Sequence, residues 1–340
     1  MFKDIVTFIN FLKYQNNVKR VFFFENNFVE PHLIPYVSKN NNLKETIIVS
    51  LYKIENNSLK NFKIFQFHKI FFLNLFFLLL KIKYCYSSTP DLDNSAFQRS
   101  IFKYTKYIYI QHSPLGLKKI YRDNAFTNFD IVQVINSFQK NDLIDISNIK
   151  NKKIKPWRGK YLFLKSENKN FFESKKNNIK KKILIAPTWG TDFFDLNIHL
   201  TIKKNLNPQK YDLFIRPHIM SFLKNKNLNR ELIEKNFQIS DGKIDFNEFD
   251  LLITDWSGIY IEFAKMNKIK SILIQNKEKI LNKNFIESKN NSIDSFARKK
   301  LGIVLAPNKI NSIENVIEDI FLNKKKNIPE INTFFKNYFY

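Results

Sequence analysis

At 340 residues, 44% of them hydrophobic, the chain is long enough for roughly two domains with a core in each. Its single cysteine, Cys85, excludes a disulfide framework and cysteine-rich zinc sites and fits a reducing compartment. The formal charge of +25 favours anionic partners, yet the lysines are scattered, and a Lys, Asn, Ile and Phe bias is what an AT-rich genome produces without selection for binding. Polyanionic substrates and an anionic membrane surface are therefore the expected partners, and nucleic acid is given little weight.

Residues 1–13 carry Asp4 and Asn10 and lack a small-residue cleavage site, so no secretory leader is expected. Residues 20–25 read as a buried strand, followed by a helix through Pro35 and Tyr36, and strands are expected at 45–51 and 62–67. The apolar run 70–80 contains Asn74 and is far shorter than the roughly 20 residues that span a bilayer, so it reads as a core helix. Strands at 83–87, 107–111 and 131–134 follow, the last two each before a helical pattern. Periodicity then fades, and 151–181 reads as a basic interdomain connection. A second series places strands at 183–186, 211–216, 251–254 and 271–275, with closing helices at 310–323 and 333–340. Strands alternating with helices imply parallel sheets and right-handed crossovers. The expected organisation is α/β throughout: a first lobe over 1–150, a second over 182–326, and a C-terminal helix at 327–340 packing back on the first lobe.

In open parallel sheets ligands bind off the carboxyl ends of strands, and three strands here end in reactive residues. The strand at 107–111 runs into His112, within Gln111-His112-Ser113-Pro114-Leu115-Gly116. An imidazole there could take a proton from a hydroxyl; a single histidine is also often structural. The strand at 211–215 ends in Arg216-Pro217-His218, donors suited to phosphate oxygens or to interdomain ion pairs. The strand at 251–254 leads through Asp255-Trp256-Ser257-Gly258 into a helix whose first N–H groups, with the Ser257 hydroxyl, could hold phosphate. Ordinary N-capping by Asp255 or Ser257 gives the same pattern. Glu262, one turn on, faces either a ribose or solvent. Thr188, in Ala186-Pro187-Thr188-Trp189-Gly190, is a further phosphate candidate, whereas His32, His68 and His199 read as structural. Asp91-Leu92-Asp93 spells a D-x-D, but three-residue matches are common and it lies in a turn beside Pro90, so no metal site is expected.

Taken in order, these motifs resemble those of the CDP-glycerol glycerophosphotransferase family, the teichoic-acid and capsule polymerase-like enzymes. Tyr109-Ile110-Gln111-His112-Ser113-Pro114-Leu115 is similar to the family's strand ending in His-Gly-Thr-Pro-Leu. Ala186-Pro187-Thr188-Trp189, Arg216-Pro217-His218 and Ile253-Thr254-Asp255-Trp256-Ser257-Gly258 match further family stretches, and the likeness spans roughly residues 20–305. Ser113 stands where the family usually has Gly, and Ile219 where a second Pro commonly follows. The resemblance implies two Rossmann-like lobes in the glycosyltransferase-B arrangement, the first binding the acceptor and the second the donor nucleotide, with no metal or cofactor. It implies His112 as the acceptor-side base. Arg216 and His218 would steady the donor diphosphate, with Thr188, Asp255, Ser257, Gly258 and Glu262 around the donor. The donor would be CDP-glycerol or a related CDP-polyol, the acceptor a lipid-linked glycan or polyol phosphate, the product CMP, and the place the cytoplasm, peripheral on the inner membrane face. Two other readings stand beside it: a nucleotide-sugar glycosyltransferase of the same fold, and a non-catalytic basic envelope-assembly or nucleic-acid-binding protein. A nucleotide-sugar epimerase of similar fold lacks an evident carboxylate set.

Overall fold

The computed structural model describes residues 2–26, 30–39, 42–94, 97–165, 180–224, 228–240, 245–285 and 292–340. Its first sheet contains β1 (Arg20–Phe24), β2 (Thr46–Ser50), β3 (Lys63–Gln66), β4 (Tyr84–Ser87), β5 (Lys106–Tyr109), β6 (Ile131–Val134) and β7 (Lys155–Arg158). They lie in the order β3-β2-β1-β4-β5-β6-β7, every neighbouring pair parallel. With it go the helices α1 (Phe2–Tyr14), α2 (Glu30–Ser38), α3 (Ile70–Leu78) and α4 (Ser137–Ile149). The second sheet, also all parallel, is β10-β9-β8-β11-β12-β13. Its strands are β8 (Lys181–Ile185), β9 (Tyr211–Ile215), β10 (Gln238–Ile239), β11 (Leu251–Thr254), β12 (Ser271–Ile274) and β13 (Gly302–Leu305). Helices α5 (Ile198–Lys204), α6 (Ile219–Lys224), α7 (Arg230–Glu234), α8 (Ile259–Asn267), α9 (Ile293–Leu301), α10 (Ile313–Leu322) and α11 (Lys324–Tyr338) complete the chain.

The strand runs are apolar on both sides because helices cover both faces of each sheet. In β1, Val21 and Phe23 enter one core with Phe11, Phe76 and Phe77, while Phe22 and Phe24 enter the opposite one with Leu33 and Leu59. The second lobe has a single continuous core running from β8 to α11. Both sheets reverse strand order once, between β1 and β4 and between β8 and β11, and these reversals open the crevices where side chains can meet a ligand. This is the expected pair of Rossmann-like lobes.

Three strands were not anticipated. The stretch expected as connection contains β7, Lys-Pro-Trp-Arg, which pairs only with β6. Pro156 is tolerated there because an edge strand need not donate on its outer side. β10 is two residues long, and β13 starts on Gly302 directly out of α9, too abruptly for a turn signal. The last helix begins at Lys324 rather than near 333, with Pro329 inside it. Its end reaches the first lobe, where the Tyr340 N–H donates to the Ile135 carbonyl (3.0 Å) and Phe339 bridges Asn136.

Gly302 has no room for a side chain. A Cβ there would sit 2.3 Å from Leu273 Cδ1 and 3.1 Å from the Ser271 carbonyl oxygen, and Leu273 is fully buried. Gly302→Ala is expected to lower the unfolding free energy by about 1–3 kcal/mol through overpacking, read from the urea midpoint; an unchanged midpoint would contradict this packing.

Candidate functional site

His112 follows β5 at the carboxyl edge of the first sheet. Its Nδ1 lies 2.9 Å from the Ser88 carbonyl and 2.7 Å from the Tyr109 hydroxyl. A carbonyl only accepts, so Nδ1 carries the proton and Nε2 keeps a lone pair, with the Tyr121 hydroxyl 3.4 Å away. Desolvation holds the imidazole neutral, its pKa pushed down to about 4, with the Ser88 bond opposing and the charge of Lys279 adding to the shift.

In the second lobe the tips of β8 and β11 are tied together. The Thr254 hydroxyl donates to the Ala186 carbonyl (2.6 Å), and the buried Asp255 carboxylate accepts from the Thr188 N–H (2.8 Å) and the Thr191 hydroxyl (2.7 Å). Arg298 stacks on Trp256, 4.0 Å from the ring centroid, and donates to the Asp255 carbonyl. Asp255 therefore shapes the two loops, and its carboxylate is directed into the protein. Gly258 begins α8 without a side-chain cap, and Ser257 Oγ accepts only a long 3.5 Å bond from Ile259 N.

The lobes meet across these tips. A Cβ on Gly258 would lie 3.0 Å from Leu115 Cγ and 3.3 Å from both Pro114 Cδ and Ser113 Oγ, so the loop after His112 rests on the start of α8. Leu115 itself belongs to the core of the second lobe. On its other side, the Gly116 N–H points to Asp294 Oδ1 at the start of α9 (3.4 Å). The segment after β12 also crosses: Glu278 pairs with Lys119, and the N–H groups of Leu281 and Asn282 both donate to the Lys119 carbonyl (3.0 and 3.2 Å).

Lys279 stands in that crossing segment. Its ammonium is 4.2 Å from the Trp189 ring centroid and 3.5 Å from Thr188 Oγ1. Its charge acts on His112 from one lobe and on His218 from the other. The His218 ring is open to solvent on one side and 6.2 Å from Trp189, and its Nδ1 accepts from Met220 N (3.1 Å), leaving Nε2–H to donate outward. Desolvation within the site, then Lys279 and Arg216, lower its pKa to about 4.

A second link joins the lobes deeper in. Tyr161, on the connection after β7, donates to Glu262 Oε1 on α8 (2.7 Å) and lies 3.2 Å from His32 Nδ1 on α2. The His32 ring is 6.1 Å from that of His112. Glu262 is thus buried away from solvent and bonded to an interlobe hydroxyl. Burial pushes its carboxyl up to about 7, against the Tyr161 bond and the nearby Arg216 charge.

The structure links the candidate residues pairwise: Gly258 meets the loop after His112, Lys279 acts on His112 and His218 and reaches Thr188, Arg216 acts on His218 and Glu262, and Asp255 holds the Thr188 backbone. Three residues there carried no motif. His32, read as structural, neighbours His112; Tyr161 lay in a segment without periodicity; Lys279 was one lysine among many. His68 and His199 are structural: the first bonds Asp4 (3.0 Å), and the second packs on Phe194 and Phe237. Asp91 and Asp93 pair with Arg122 and Arg99 in their loop. Among the described residues no group of three or more His, Cys, Asp or Glu could hold a metal ion.

No protein-family model matches the chain, and no curated protein matches it. Solved structures do. The wall teichoic acid polymerase TagF, soaked with CDPG, superposes with a TM-score of 0.64 at 12% identity, over 99% of this chain and 92% of that one. MnaA from S. aureus in complex with UDP gives 0.55 at 12% identity, over 92% and 90%. UDP-GlcNAc 2-epimerase from Neisseria meningitidis bound to UDP-GlcNAc gives 0.53 at 12%, over 93% and 94%. At such identities the likeness establishes the fold: two parallel-sheet lobes in the glycosyltransferase-B arrangement.

Glu262 also makes stability depend on pH. Its folded pKa of about 7 lies above the ordinary 4.5, so the folded state holds the proton more tightly and stability falls as pH rises from 4.5 through 7. Glu262→Gln keeps an acceptor for Tyr161 but does not titrate. Relative to the wild type it should gain about 2–3 kcal/mol between pH 5 and pH 8, measured by urea unfolding at both; a constant difference would rule out the raised carboxyl.

Proposed function

We propose that the protein is a transferase of cell-envelope synthesis that moves a polyol phosphate from CDP-glycerol or a related CDP-polyol to a hydroxyl of a lipid-linked glycan or polyol-phosphate acceptor, releasing CMP. The observation that supports this reading best is that His112 of the first lobe and His218 of the second both feel the charge of Lys279, which itself sits over Trp189 beside Thr188. The neutral His112 imidazole, whose Nε2 has only the long Tyr121 contact (3.4 Å), precedes the loop that rests on Gly258. Arg216, His218 Nε2–H, Thr188, Ser257 and the uncapped first turn of α8 are the donors this reading assigns to phosphate. The motif resemblance and the TagF-like fold support the same assignment.

In this mechanism the acceptor hydroxyl loses its proton to His112 Nε2 as its oxygen bonds to the phosphorus that carries the polyol. The bond from that phosphorus to the bridging oxygen breaks, and CMP leaves with the electron pair. Arg216 and His218 donate to the phosphate oxygens as their charge redistributes, so the rate derives mainly from positioning and charge stabilisation. An anionic donor also opposes the cationic field that depresses His112, moving a weak base towards working pH. Tyr161 and Glu262 hold the lobes at the spacing this transfer requires.

The second reading, a nucleotide-sugar glycosyltransferase, draws on the same fold in proteins solved with UDP and UDP-GlcNAc. Nucleotide release with an acceptor, in EDTA, across CDP-polyols and nucleotide sugars, separates the two. His112→Ala is expected to reduce acceptor-dependent CMP release by about 10²- to 10⁴-fold while leaving donor binding within a few-fold. In the wild type the acid limb of kcat/KM should lie below pH 6, because His112 in the free protein stays neutral down to about pH 4. Release from a nucleotide sugar alone would favour the second reading, an unaffected His112→Ala would dismiss His112 as the base, and silence across all donors with a competent acceptor would favour a non-catalytic protein.

A lipid-borne acceptor fits one face of the first lobe. Helices α1 and α3 run parallel, since Asp4 accepts from His68 N at one end and Gln15 Oε1 accepts from Lys81 N at the other. Phe2 (79% exposed), Val6, Ile9, Ile70 and Phe71 (70% exposed) project from them. Lys3, Lys13 and Lys69 are exposed on or beside the same two helices, whose one carboxylate, Asp4, is buried. Among the described residues no helix is long and apolar enough to cross a membrane. An apolar face accompanied by cations suits an anionic bilayer surface. Phe2→Ser with Phe71→Ser should weaken binding to anionic vesicles by at least about tenfold in co-sedimentation; equal binding would remove this face from the account.

A further inference from the structure

Lys279 is held in place from two directions. On one side, Lys277 N donates to Asp192 Oδ1 in its own lobe (2.9 Å). On the other, Glu278, Leu281 and Asn282 grip Lys119, and Asn282 Nδ2 donates to the Lys118 carbonyl (2.8 Å), all in the first lobe. Between these anchors the Lys279 side chain turns inward over Trp189 and reaches Thr188.

Among the described residues it forms no ion pair. Its electrostatic partner, Asp255, already accepts from Thr188 N and Thr191 Oγ1. The remaining titratable groups that act with it are His112 and His218, and both of those interactions are repulsive when the imidazoles are charged. A half-buried ammonium whose nearby carboxylate is already committed to other donors is costly to keep charged, and burial pushes its pKa down to about 8 against the pull of Asp255. Phosphate oxygens next to Thr188 and His218 would supply the missing charge.

We infer that Lys279 is a phosphate-binding residue of the interlobe site, its ammonium neutralising the diphosphate of a nucleotide donor. This rests on the reading of the protein as a nucleotide-dependent transferase. The loop that carries Lys279 also grips the first lobe through Lys119, so the cation is placed only when the lobes are together. Ligand charge and lobe contact are thereby coupled through a single segment.

The test uses the full chain with CDP and UDP as nucleoside diphosphates and cytidine and uridine as phosphate-free controls, titrated by calorimetry. Lys279→Met should weaken the diphosphate that binds by about 10- to 100-fold, the loss of one charged hydrogen bond. Lys279→Arg should restore most of it, nucleoside binding should not change, and the thermal midpoint of both variants should match the wild type. Because an anion stabilises the charged ammonium, diphosphate binding near pH 8 should take up protons in the wild type and less so in Lys279→Met. Equal affinity and equal proton uptake in the two proteins would overturn the inference while leaving the transferase reading intact. If neither diphosphate binds, acylation of Lys279 followed by mass spectrometry in the presence of inorganic pyrophosphate decides. Protection of Lys279 would keep it as a phosphate ligand and dismiss the nucleotide reading; no protection would dismiss the phosphate ligand itself.

Discussion

The lobes are held together by the loop that follows His112. Residues 113–116 leave His112 and press onto Gly258, where no Cβ stands in the way, and Leu115 enters the hydrophobic core of the opposite lobe. One short segment thereby performs two tasks that conflict in most loops. It must hold a largely desolvated imidazole at a strand tip, and it must bury an apolar side chain to fix that tip against its partner. The geometry of everything else in the site, from the Thr188 loop to the segment around Lys279, is set relative to this contact.

Around it, buried polar groups draw much of their satisfaction from backbone and hydroxyl partners. Asp255 spends its oxygens on backbone and hydroxyl donors, Glu262 is driven towards its neutral form by burial, and the charges of Lys279 and Arg216 both act on His218. Cationic groups acting on one another are expensive in the low dielectric of an interlobe space. It is the pattern expected where an anionic substrate completes the electrostatics.

Much of the architecture was legible from the chain. Runs such as Val-Phe-Phe-Phe in β1 and Leu-Leu-Ile-Thr in β11 are buried on both faces, so their apolar continuity marks them without alternation. The strand-tip residues His112, Arg216 and His218 were visible because a polar group directly after a buried run interrupts it sharply. What escaped lacked that contrast. β7 is polar and contains a proline, permitted only by its edge position. His32 and Tyr161 are 129 residues apart in the chain and meet only through the fold. Lys279 is indistinguishable from other lysines in a chain with 56 Lys and Arg, and its neighbours on the first lobe, not its own sequence context, turn it inward.

The end of α11 docks back on the first lobe at Ile135 and Asn136. Leu115 in the opposite core, the Lys119–Glu278 pair and the Tyr161–Glu262 bond tie the lobes at other points, each from a different stretch of the chain. Contacts so far apart in sequence form only once both lobes have folded, so each lobe is a condition for the other's final packing. A change at any one tie is thereby felt at the strand tips of both sheets.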